Sequence, residues 1–225
     1  MLQNIQTFYK IVDNIKYARY EKMIKNVVFD VGQVLVTFDP PKYMKDLGYS
    51  QEVIDALMKA MFSHPLWGEL DRSIYTKAEL MEMFVANAPE YEKEIRDVFG
   101  NIENSAKPQP YVIEWMEDLK KRGVGLYVVS NYAEFMYEGT KQSMLFLPYM
   151  DGVLFSYMCH AIKPEREIFE TLLNRYDLKA EECVFIDDRA DNVEGARAVG
   201  LEGIQFHSYE QAKVELEKYL APMSE

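Results

Sequence analysis

This sequence is short of cysteine, of basic residues and of long apolar runs, and each shortage excludes a class of protein. Two cysteines in 225 residues cannot form a disulfide framework, so we interpret Cys159 and Cys183 as reduced core residues and expect a cytoplasmic location. The 37 Asp and Glu outnumber the 25 Lys and Arg, which leaves a formal net charge of −12. Proteins that bind nucleic acid or anionic membranes need a basic surface instead, so we expect neither partner.

No apolar run approaches the length of a membrane span. Polar and charged residues, among them Asn4, Lys10 and Asp13, interrupt the N-terminal stretch where a secretory signal would need an apolar core. Apolar residues near helical spacing instead predict a helical extension over residues 1–24, and Met23 offers an alternative start. The apolar content of 48% is ordinary for a globular protein with a sizeable core.

Strand-like and helix-like segments alternate over the second half of the chain, which is typical of a parallel sheet covered by helices. We therefore predict an α/β fold, with a doubly wound, Rossmann-like core formed by residues 25–39 and 108–225. About 90 residues lie between the first strand and the second, far more than the single helix that a simple crossover needs. The excess, residues 40–107, is helical in pattern, with a capping box at Thr76 and Glu79. It predicts a small all-helical cap inserted after the first strand.

Three carboxylates follow two buried, strand-like runs. Asp30 comes directly after residues 26–29, and Asp187 and Asp188 come after residues 183–186. Because open parallel sheets bind ligands at the carboxyl ends of their strands, we expect these side chains to lie at one edge. A buried carboxylate is costly without a partner, and Mg²⁺ prefers oxygen ligands of this kind. The pattern therefore predicts a magnesium and phosphate site.

Polar residues also end the other strands of the pattern. Ser130 and Asn131 follow residues 126–129, and Lys163 stands before Pro164 at the start of a helix. A lysine offsets the charge of a phosphate, and a hydroxyl with backbone amides at a strand-to-helix turn donates hydrogen bonds to its oxygens. An ionised aspartate can attack phosphorus, so the parts together predict metal-assisted phosphoryl transfer. Each residue taken alone has a simpler alternative, as a helix cap or an ordinary turn residue.

Four segments in this order resemble the motifs of the haloacid dehalogenase (HAD) superfamily. They are residues 29–35 (FDVGQVL), 128–131 (VVSN), 162–169 (IKPEREIF) and 185–200 (FIDDRADNVEGARAVG). Each motif alone is weak, but four in order at strand ends are specific. The resemblance extends over most of the chain after the N-terminal extension. It implies a HAD-type core, a helical cap between the first two motifs, and Mg²⁺ as the cofactor.

The resemblance also implies a role for each residue of the site. Asp30 is the nucleophile that becomes an aspartyl-phosphate, and Ser130 and Lys163 hold the phosphoryl group. We also expect Asn131, next to Ser130, to be a substrate-binding residue. The metal ligands that it implies are Asp30, the backbone carbonyl of Gly32, Asp188 and, through water, Asp187. One departure matters. Most phosphatases of the superfamily carry a second aspartate, as general acid and base, at the position of Gly32, so the source of the proton is open.

The most varied stretch of the predicted cap is residues 64–72, which mixes aromatic, basic and acidic side chains between two helices. A cap loop in this position faces the substrate, so we interpret His64, Trp67 and Arg72 as substrate-binding residues, with His64 also able to donate a proton. The alternative is a solvent-facing interhelical loop in which Trp67 packs inside the cap.

These observations favour a Mg²⁺-dependent phosphatase of a small phosphorylated metabolite, for example a sugar phosphate, acting through an aspartyl-phosphate as a monomer or homodimer. One alternative is a binding or regulatory protein that keeps the ligand site but turns over poorly, because Gly32 provides no acid. A true haloacid dehalogenase is less favoured, since dehalogenation needs no metal and leaves the pair Asp187 and Asp188 without a task. The cap decides the substrate, which the sequence does not name.

Overall fold

The computed structural model describes residues 24–220, so the predicted helical extension lies outside the described residues except for its last position. The strands are β1 (Asn26–Phe29), β2 (Val36–Phe38), β3 (Ala106–Pro108), β4 (Gly125–Ser130), β5 (Gly152–Phe155), β6 (Cys183–Asp187) and β7 (Glu202–Gln205). The α-helices are α1 (Pro40–Asp46), α2 (Gln51–Leu57), α3 (Leu66–Arg72), α4 (Lys77–Asn87), α5 (Glu92–Gly100), α6 (Val112–Lys121), α7 (Glu134–Thr140), α8 (Arg166–Arg175), α9 (Ala190–Arg197) and α10 (Tyr209–Leu216). Within this range, no helix combines the length and apolar character needed to cross a bilayer.

Five strands form one parallel sheet in the order β5–β4–β1–β6–β7. The central strand is β1, whose side chains Val27, Val28 and Phe29 are fully buried, as is usual for a strand covered on both faces. The chain runs from β1 to β4 and β5 on one side and later to β6 and β7 on the other. This change of direction opens a crevice at the carboxyl ends of the central strands. The sheet confirms the predicted doubly wound α/β fold.

Helices cover both faces of the sheet. On one face, Phe29 of β1 packs edge to face on Trp115 of α6, with ring centroids 5.0 Å apart, and Leu216 of α10 joins the same cluster. On the other face, Val28 belongs to a cluster that includes Phe169 of α8. Successive strand residues point to opposite faces, so one short apolar run contributes to both cores. The two cores hold the strand ends in a fixed arrangement.

Helices α1 to α5 form an apolar cluster of their own. Phe84 of α4 and Phe99 of α5 meet inside it, with ring centroids 5.0 Å apart. Met136 of α7 belongs to the same cluster, so these helices pack directly against the sheet domain. The capping box predicted at the start of α4 is present, because Thr76 N donates to Glu79 Oε2 at 2.8 Å and Glu79 N donates to Thr76 Oγ1 at 3.2 Å.

A two-stranded ribbon connects the sheet to these helices. The strands β2 and β3 pair antiparallel, with Thr37 opposite Lys107, and helices α1 to α5 lie between them along the chain. Because β2 follows β1 closely, the ribbon begins beside Asp30. The helices are therefore placed over the edge of the sheet where the strands end.

Candidate active site

Neighbouring strands of the sheet end in polar side chains. Strand β1 pairs with β6 through Phe29 and Ile186, so Asp30 and Asp187 leave the sheet side by side, and Asp30 N donates to Ile186 O at 2.9 Å. Strand β4, on the other flank of β1, ends in Ser130. The sheet thus brings all three polar side chains to one edge, and all three are buried there.

Lys163 lies at the centre of this group. Its Nζ is 2.7 Å from Asp30 Oδ1 and 2.6 Å from Asp187 Oδ2, and Ser130 Oγ donates to the same Asp30 oxygen at 2.6 Å. Burial lowers the pKa of the Lys163 ammonium, but the two carboxylates more than offset this, so its pKa lies above the ordinary value. The lysine stays charged and neutralises part of the negative charge that the aspartates bring.

Asp187 organises the group from beneath and is 0% exposed. Besides Lys163, it accepts hydrogen bonds from Arg189 N at 2.8 Å and from Asn192 Nδ2 at 3.0 and 3.1 Å. A carboxylate that accepts from this many donors is held rigidly in position. The Oδ1 atom of Asn192 is buried without a hydrogen-bond partner. Asn192 thus presents an acceptor beside the cavity described below.

Asn131 acts on the backbone of Lys163. Its Nδ2 donates to Lys163 O at 3.1 Å, and Lys163 N donates to Asn131 Oδ1 at 2.7 Å. This two-point contact uses both ends of the amide and fixes where the lysine leaves its loop. Asn131, predicted as a substrate-binding residue, therefore positions Lys163 in this structure.

The carboxylates of Asp30, Asp187 and Asp188 fit a metal ion. One oxygen of each lies within 4.8 Å of the others. Burial raises the pKa of Asp30 to about 6, with the charge of Asp187 adding to the effect, and burial and Asp187 also raise the pKa of Asp188. Converging carboxylates that resist ionisation are relieved by a hard divalent cation, and oxygen is the ligand atom that Mg²⁺ prefers. The donor set therefore suits Mg²⁺.

Gly32 lines the same region without any structural need for glycine. A Cβ added to Gly32 would have no atom within 4 Å, and its φ angle is outside the left-handed region. Neither close packing nor backbone conformation therefore excludes a side chain here. The absence of an acid at this position is a chemical difference from the usual motif and not a steric requirement.

A cavity of about 200 Å³ lies between this edge of the sheet and the helices above it. We call its polar side, contributed by strand ends and the loops that follow them, the floor. The floor consists of the lining residues Asp30, Ser130, Asn131, Lys163 and Asn192, together with Asp187 and Asp188, whose carboxylates cluster with that of Asp30. We call the opposite side, contributed by β2, α3 and α7, the roof. The roof consists of Val36, Phe38, Trp67, Leu70, Asp71 and Met136.

Trp67 lines the cavity, in the position predicted for a substrate-binding residue. Its ring centroid lies 4.6 Å from that of Phe62, 6.0 Å from that of Phe38 and 6.3 Å from that of Phe84. Such offset aromatic packing holds a ring in place while leaving part of it available to a ligand. Trp67 therefore combines the two roles that the sequence left open, as a member of the cap core and as part of the cavity wall.

His64 and Arg72 do not line this cavity. His64 precedes α3, where its Nδ1 accepts from Leu66 N at 3.3 Å, and it borders a separate surface pocket of the cap. Arg72 forms an ion pair with Glu165 at the start of α8, and its Nη1 donates to His160 O at 3.1 Å. The substrate contacts predicted for these two side chains have no support in this geometry. The reason is that the face of α3 formed by Trp67, Leu70 and Asp71 lines the cavity, whereas His64 precedes the helix and Arg72 is held by Glu165.

Asp71 is the residue of this stretch that the motif-based interpretation missed. It lines the cavity next to Trp67 and Leu70, and burial raises the pKa of its carboxyl to about 7, while the nearby charge of Lys163 opposes that rise. One signal for it existed in the sequence. Asp71 stands four residues after Trp67, a spacing that places both side chains on the same face of a helix.

Comparison with known families and proteins agrees with this site. The family model of haloacid dehalogenase-like hydrolases matches residues 24–200. The chain is 24% identical over 184 residues to a sesquiterpene phosphatase of Aspergillus oryzae, which covers 80% of this chain and 88% of that protein. It is also 24% identical over 202 residues to a D-ribitol-5-phosphate phosphatase of Bacteroides thetaiotaomicron, covering 81% and 92%.

Solved structures share the fold. A HAD family enzyme of Bacteroides thetaiotaomicron in complex with magnesium and inorganic phosphate superposes with a TM-score of 0.65 at 19% identity, over 84% of this chain and 98% of that one. The L-2-haloacid dehalogenase of Xanthobacter autotrophicus superposes with a TM-score of 0.61 at 19% identity, over 89% and 85%. Phosphate-binding and dehalogenating proteins are thus equally similar in fold, and the fold alone does not separate the two chemistries.

Proposed function

The chain belongs to the haloacid dehalogenase-like hydrolases, and from that premise we propose a Mg²⁺-dependent phosphatase that works through an aspartyl-phosphate on Asp30. Hydrolysis of phosphate esters is the activity that the family and the phosphatase relatives support. We propose the metal and the intermediate from the geometry of the floor, and the substrate class from the roof.

The observation that carries the proposal is the asymmetry of the Asp30 carboxylate. Its Oδ1 receives hydrogen bonds from Lys163 and Ser130, whereas its Oδ2 accepts none among residues 24–220. One oxygen is thus held while the other is free to attack an atom in the cavity. A carboxylate in this arrangement suits nucleophilic attack on phosphorus, with formation of an acyl phosphate.

The floor also provides what the incoming phosphate needs. Lys163 offers the one ammonium that lines the cavity among the described residues, and Ser130 offers a hydroxyl that can turn from Asp30 to a phosphoryl oxygen. When held by Asp30, Asp188, the Gly32 carbonyl and, through water, Asp187, Mg²⁺ would supply the remaining positive charge. Together these groups offset the repulsion between a carboxylate nucleophile and a phosphate dianion.

The carboxylate cluster also favours a phosphatase over a haloacid dehalogenase. Forming an alkyl ester on Asp30 needs no cation, so the raised pKa values of Asp30 and Asp188 would be an uncompensated cost. In a metal-dependent phosphatase, the same repulsion is relieved each time the ion binds. We therefore assign the cluster to metal binding and phosphoryl transfer.

The roof supports a phosphate ester with a compact apolar organic group. Its walls are aromatic and aliphatic except for Asp71, and the amide of Asn131 on the floor is already engaged by Lys163. A sugar phosphate needs several partners for its hydroxyls, and groups left unpaired in such a site cost affinity. The sesquiterpene phosphatase similarity supports the apolar class, and the D-ribitol-5-phosphate phosphatase similarity supports the polar one. The aromatic and aliphatic lining of the roof is our reason for proposing the apolar class.

The test is phosphate release from a panel of esters, with Mg²⁺ and with chelator. The panel contains para-nitrophenyl phosphate, benzyl phosphate, a short isoprenyl phosphate, glycerol phosphate and ribitol phosphate. We expect release that requires Mg²⁺, with kcat/KM for the apolar esters at least tenfold above that for the polyol esters, since one well-buried apolar group is worth about 1.5–3 kcal/mol. Mass spectrometry of rapidly quenched enzyme should show a phosphorylated Asp30. Ester binding without release would favour the regulatory alternative, and better turnover of ribitol phosphate would reverse the substrate class.

A further inference from the structure

A phosphatase that lacks an acid at position 32 still has to protonate its leaving group. The alkoxide released from an alkyl phosphate is a strong base, and a positioned general acid speeds such a step by roughly 10²- to 10⁴-fold. Gly32 cannot donate a proton, and the structure gives no steric reason for glycine there. Another side chain of the cavity is therefore the place to look. This question arises only if the proposed phosphatase function is correct.

Among the side chains that line the cavity, one is suited to donate the proton. Besides Asp30, Asp71 is the only carboxyl that lines the cavity among residues 24–220, and no histidine or cysteine lines it. Tyr132 is a poor donor, because its hydroxyl is paired with Thr140 Oγ1 at 2.7 Å and burial raises its pKa to about 12. Arg189 stays protonated throughout the accessible pH range, and Lys163 is held between two carboxylates.

We propose that Asp71 of the cap is the general acid and base of this enzyme, acting across the cavity from Asp30. Most phosphatases of the superfamily have this acid in the core, at the position of Gly32. Here the acid would lie on α3. The proposal names a catalytic residue outside the four motifs, on the segment that also forms the roof.

Hydrogen bonds and an ion pair fix the backbone around Asp71 to the core. Ser156 Oγ, from the loop after β5, donates to Asp71 O at 2.5 Å. His160 Nδ1 donates to Arg72 O at 2.8 Å, and the Arg72 guanidinium pairs with Glu165. These contacts join α3 to core segments more than 80 residues away in sequence. A catalytic group must be positioned closely against its substrate, and this set of contacts provides that positioning.

The carboxyl of Asp71 is free of competing partners. Among the described residues it forms no hydrogen bond or ion pair, in contrast to Asp187, whose oxygens are occupied by several donors. Burial also favours its neutral form, which is the form that donates a proton. An uncommitted carboxyl in an apolar wall is a physically suitable proton donor to an ester oxygen.

The two half-reactions balance with Asp71 in this role. In the first, Asp30 Oδ2 bonds to phosphorus, the bond from phosphorus to the ester oxygen breaks, and that oxygen takes the Asp71 proton to leave as an alcohol. In the second, Asp71, now a carboxylate, takes a proton from water as the water oxygen bonds to phosphorus. The acyl phosphate bond breaks, Asp30 is released as a carboxylate, and Asp71 is protonated again.

The experiment compares two esters of similar shape whose leaving groups differ in basicity. Benzyl phosphate releases a basic alkoxide, whereas para-nitrophenyl phosphate releases a stable phenolate. For Asp71→Asn, we expect kcat/KM to fall roughly 10²- to 10⁴-fold on benzyl phosphate and less than about tenfold on the nitrophenyl ester. Glu69→Gln is the matched control, because Glu69 lies on the same helix, is partly exposed and does not line the cavity. It should change neither rate.

A second variant tests whether an acid at position 32 can replace Asp71. In Asp71→Asn, adding Gly32→Asp should restore benzyl phosphate hydrolysis at least tenfold, because the acid returns to its usual position and the site has room for it. In the wild-type background, Gly32→Asp should leave the ratio of the two rates within about threefold, since an acid is already present. That measurement remains available even if Asp71→Asn does not fold.

Three results would overturn the role of Asp71. They are equal losses on both esters in folded Asp71→Asn, no loss on either, or a tenfold or greater gain in the benzyl to nitrophenyl ratio for Gly32→Asp alone. A failure of the phosphatase proposal is distinct, because the wild-type protein would then release phosphate from neither ester.

Discussion

The floor and the roof of the cavity differ in almost every physical property. On the floor, charged and hydrogen-bonding side chains such as Asp30 and Lys163 approach within 2.6–2.7 Å of one another. On the roof, aromatic rings such as Trp67 and Phe38 pack 6.0 Å apart, with one carboxyl among them. The difference teaches where each part of the function is located. In the proposed function, the groups that would meet the phosphate lie on the floor, mostly at or after strand ends, and those that would meet the rest of the ester lie on β2, α3 and α7.

The two regions also differ in energetic cost. Burying the floor carboxylates is unfavourable without a cation, as the raised pKa values of Asp30 and Asp188 indicate, whereas burying the roof is favourable through the hydrophobic effect. Ligands should therefore stabilise the molecule mainly through the floor, and substitutions on the roof should change specificity more than chemistry. Each of the following tests asks whether this division is correct.

The largest effect is expected for Asp30→Asn on the floor. Removing a covalent nucleophile should lower phosphate release by roughly 10⁴- to 10⁶-fold, as in other hydrolases with a covalent intermediate. Single-turnover assays and mass spectrometry of the quenched enzyme measure the loss of activity and of the acyl phosphate. If more than about a tenth of the activity remained, Asp30 would not be the nucleophile.

Stability at two pH values is the control for that variant. The pKa of Asp30 is raised from 3.8 to about 6, so its protonated form stabilises the fold below about pH 4, and this contribution is lost as the pH rises through about 6. Asparagine carries no charge, so metal-free Asp30→Asn should be at least as stable as wild type at pH 7. The advantage should shrink toward pH 4. Lower stability at pH 7 would mean that the activity was lost through misfolding.

Lys163→Met should cause the next largest effect, on stability. It leaves Asp30 and Asp187 buried without their cation, which costs about 3–5 kcal/mol when one partner of a buried pair is removed. Denaturant unfolding of metal-free protein measures the change. Lys120→Met is the matched control, because the pair of Lys120 with Asp151 is about 40% exposed and should contribute less than about 1 kcal/mol. Equal losses in the two variants would contradict the central role of Lys163.

Mg²⁺ should stabilise the protein through the floor alone. At a concentration of about 100 times Kd, a ligand specific to the folded state adds about 2.7 kcal/mol, which for a chain of this size raises Tm by roughly 5–10 °C. Asp188→Ala should remove most of this shift. Asp191→Asn should keep it, since Asp191 pairs with Arg189 at the surface. A shift that survives in Asp188→Ala would place the metal elsewhere.

The smallest effect is expected on the roof. Trp67→Gln should lower kcat/KM for benzyl phosphate about tenfold relative to glycerol phosphate, because it replaces part of an apolar wall by an amide. Trp67→Phe, which keeps an aromatic ring in the cluster, should retain most of the preference. Parallel kinetics on the two esters gives the ratio directly. A uniform loss on both would show that Trp67 supports the fold of the cap and does not select the substrate.

The part of the floor at the strand ends was predictable from the sequence. Asp30 and Asp187 each end a fully buried apolar run, and in a parallel sheet such ends meet at one edge whatever the details of packing. The bridging position of Lys163 between the two carboxylates was not predictable in the same way. It depends on the contact with Asn131 and on the path of the loop before α8.

The roof was only partly predictable. Of the three residues predicted to bind substrate in residues 64–72, Trp67 lines the cavity, whereas His64 and Arg72 lie elsewhere. Asp71, which was not predicted, also lines the cavity. Helical spacing shows which residues share a face, but it does not show which face meets a neighbour.

By itself, the sequence determined the α/β core, the helical insertion and the floor residues at the strand ends, because the ligand site of a parallel sheet lies at the carboxyl ends of its strands. Only the tertiary structure decided how α3 is turned about its axis and therefore that Asp71 lines the same cavity as Asp30. That rotation is set by contacts such as Ser156 with Asp71 O and Arg72 with Glu165. They join residues 85 and 93 positions apart, and no local pattern encodes a separation of that length.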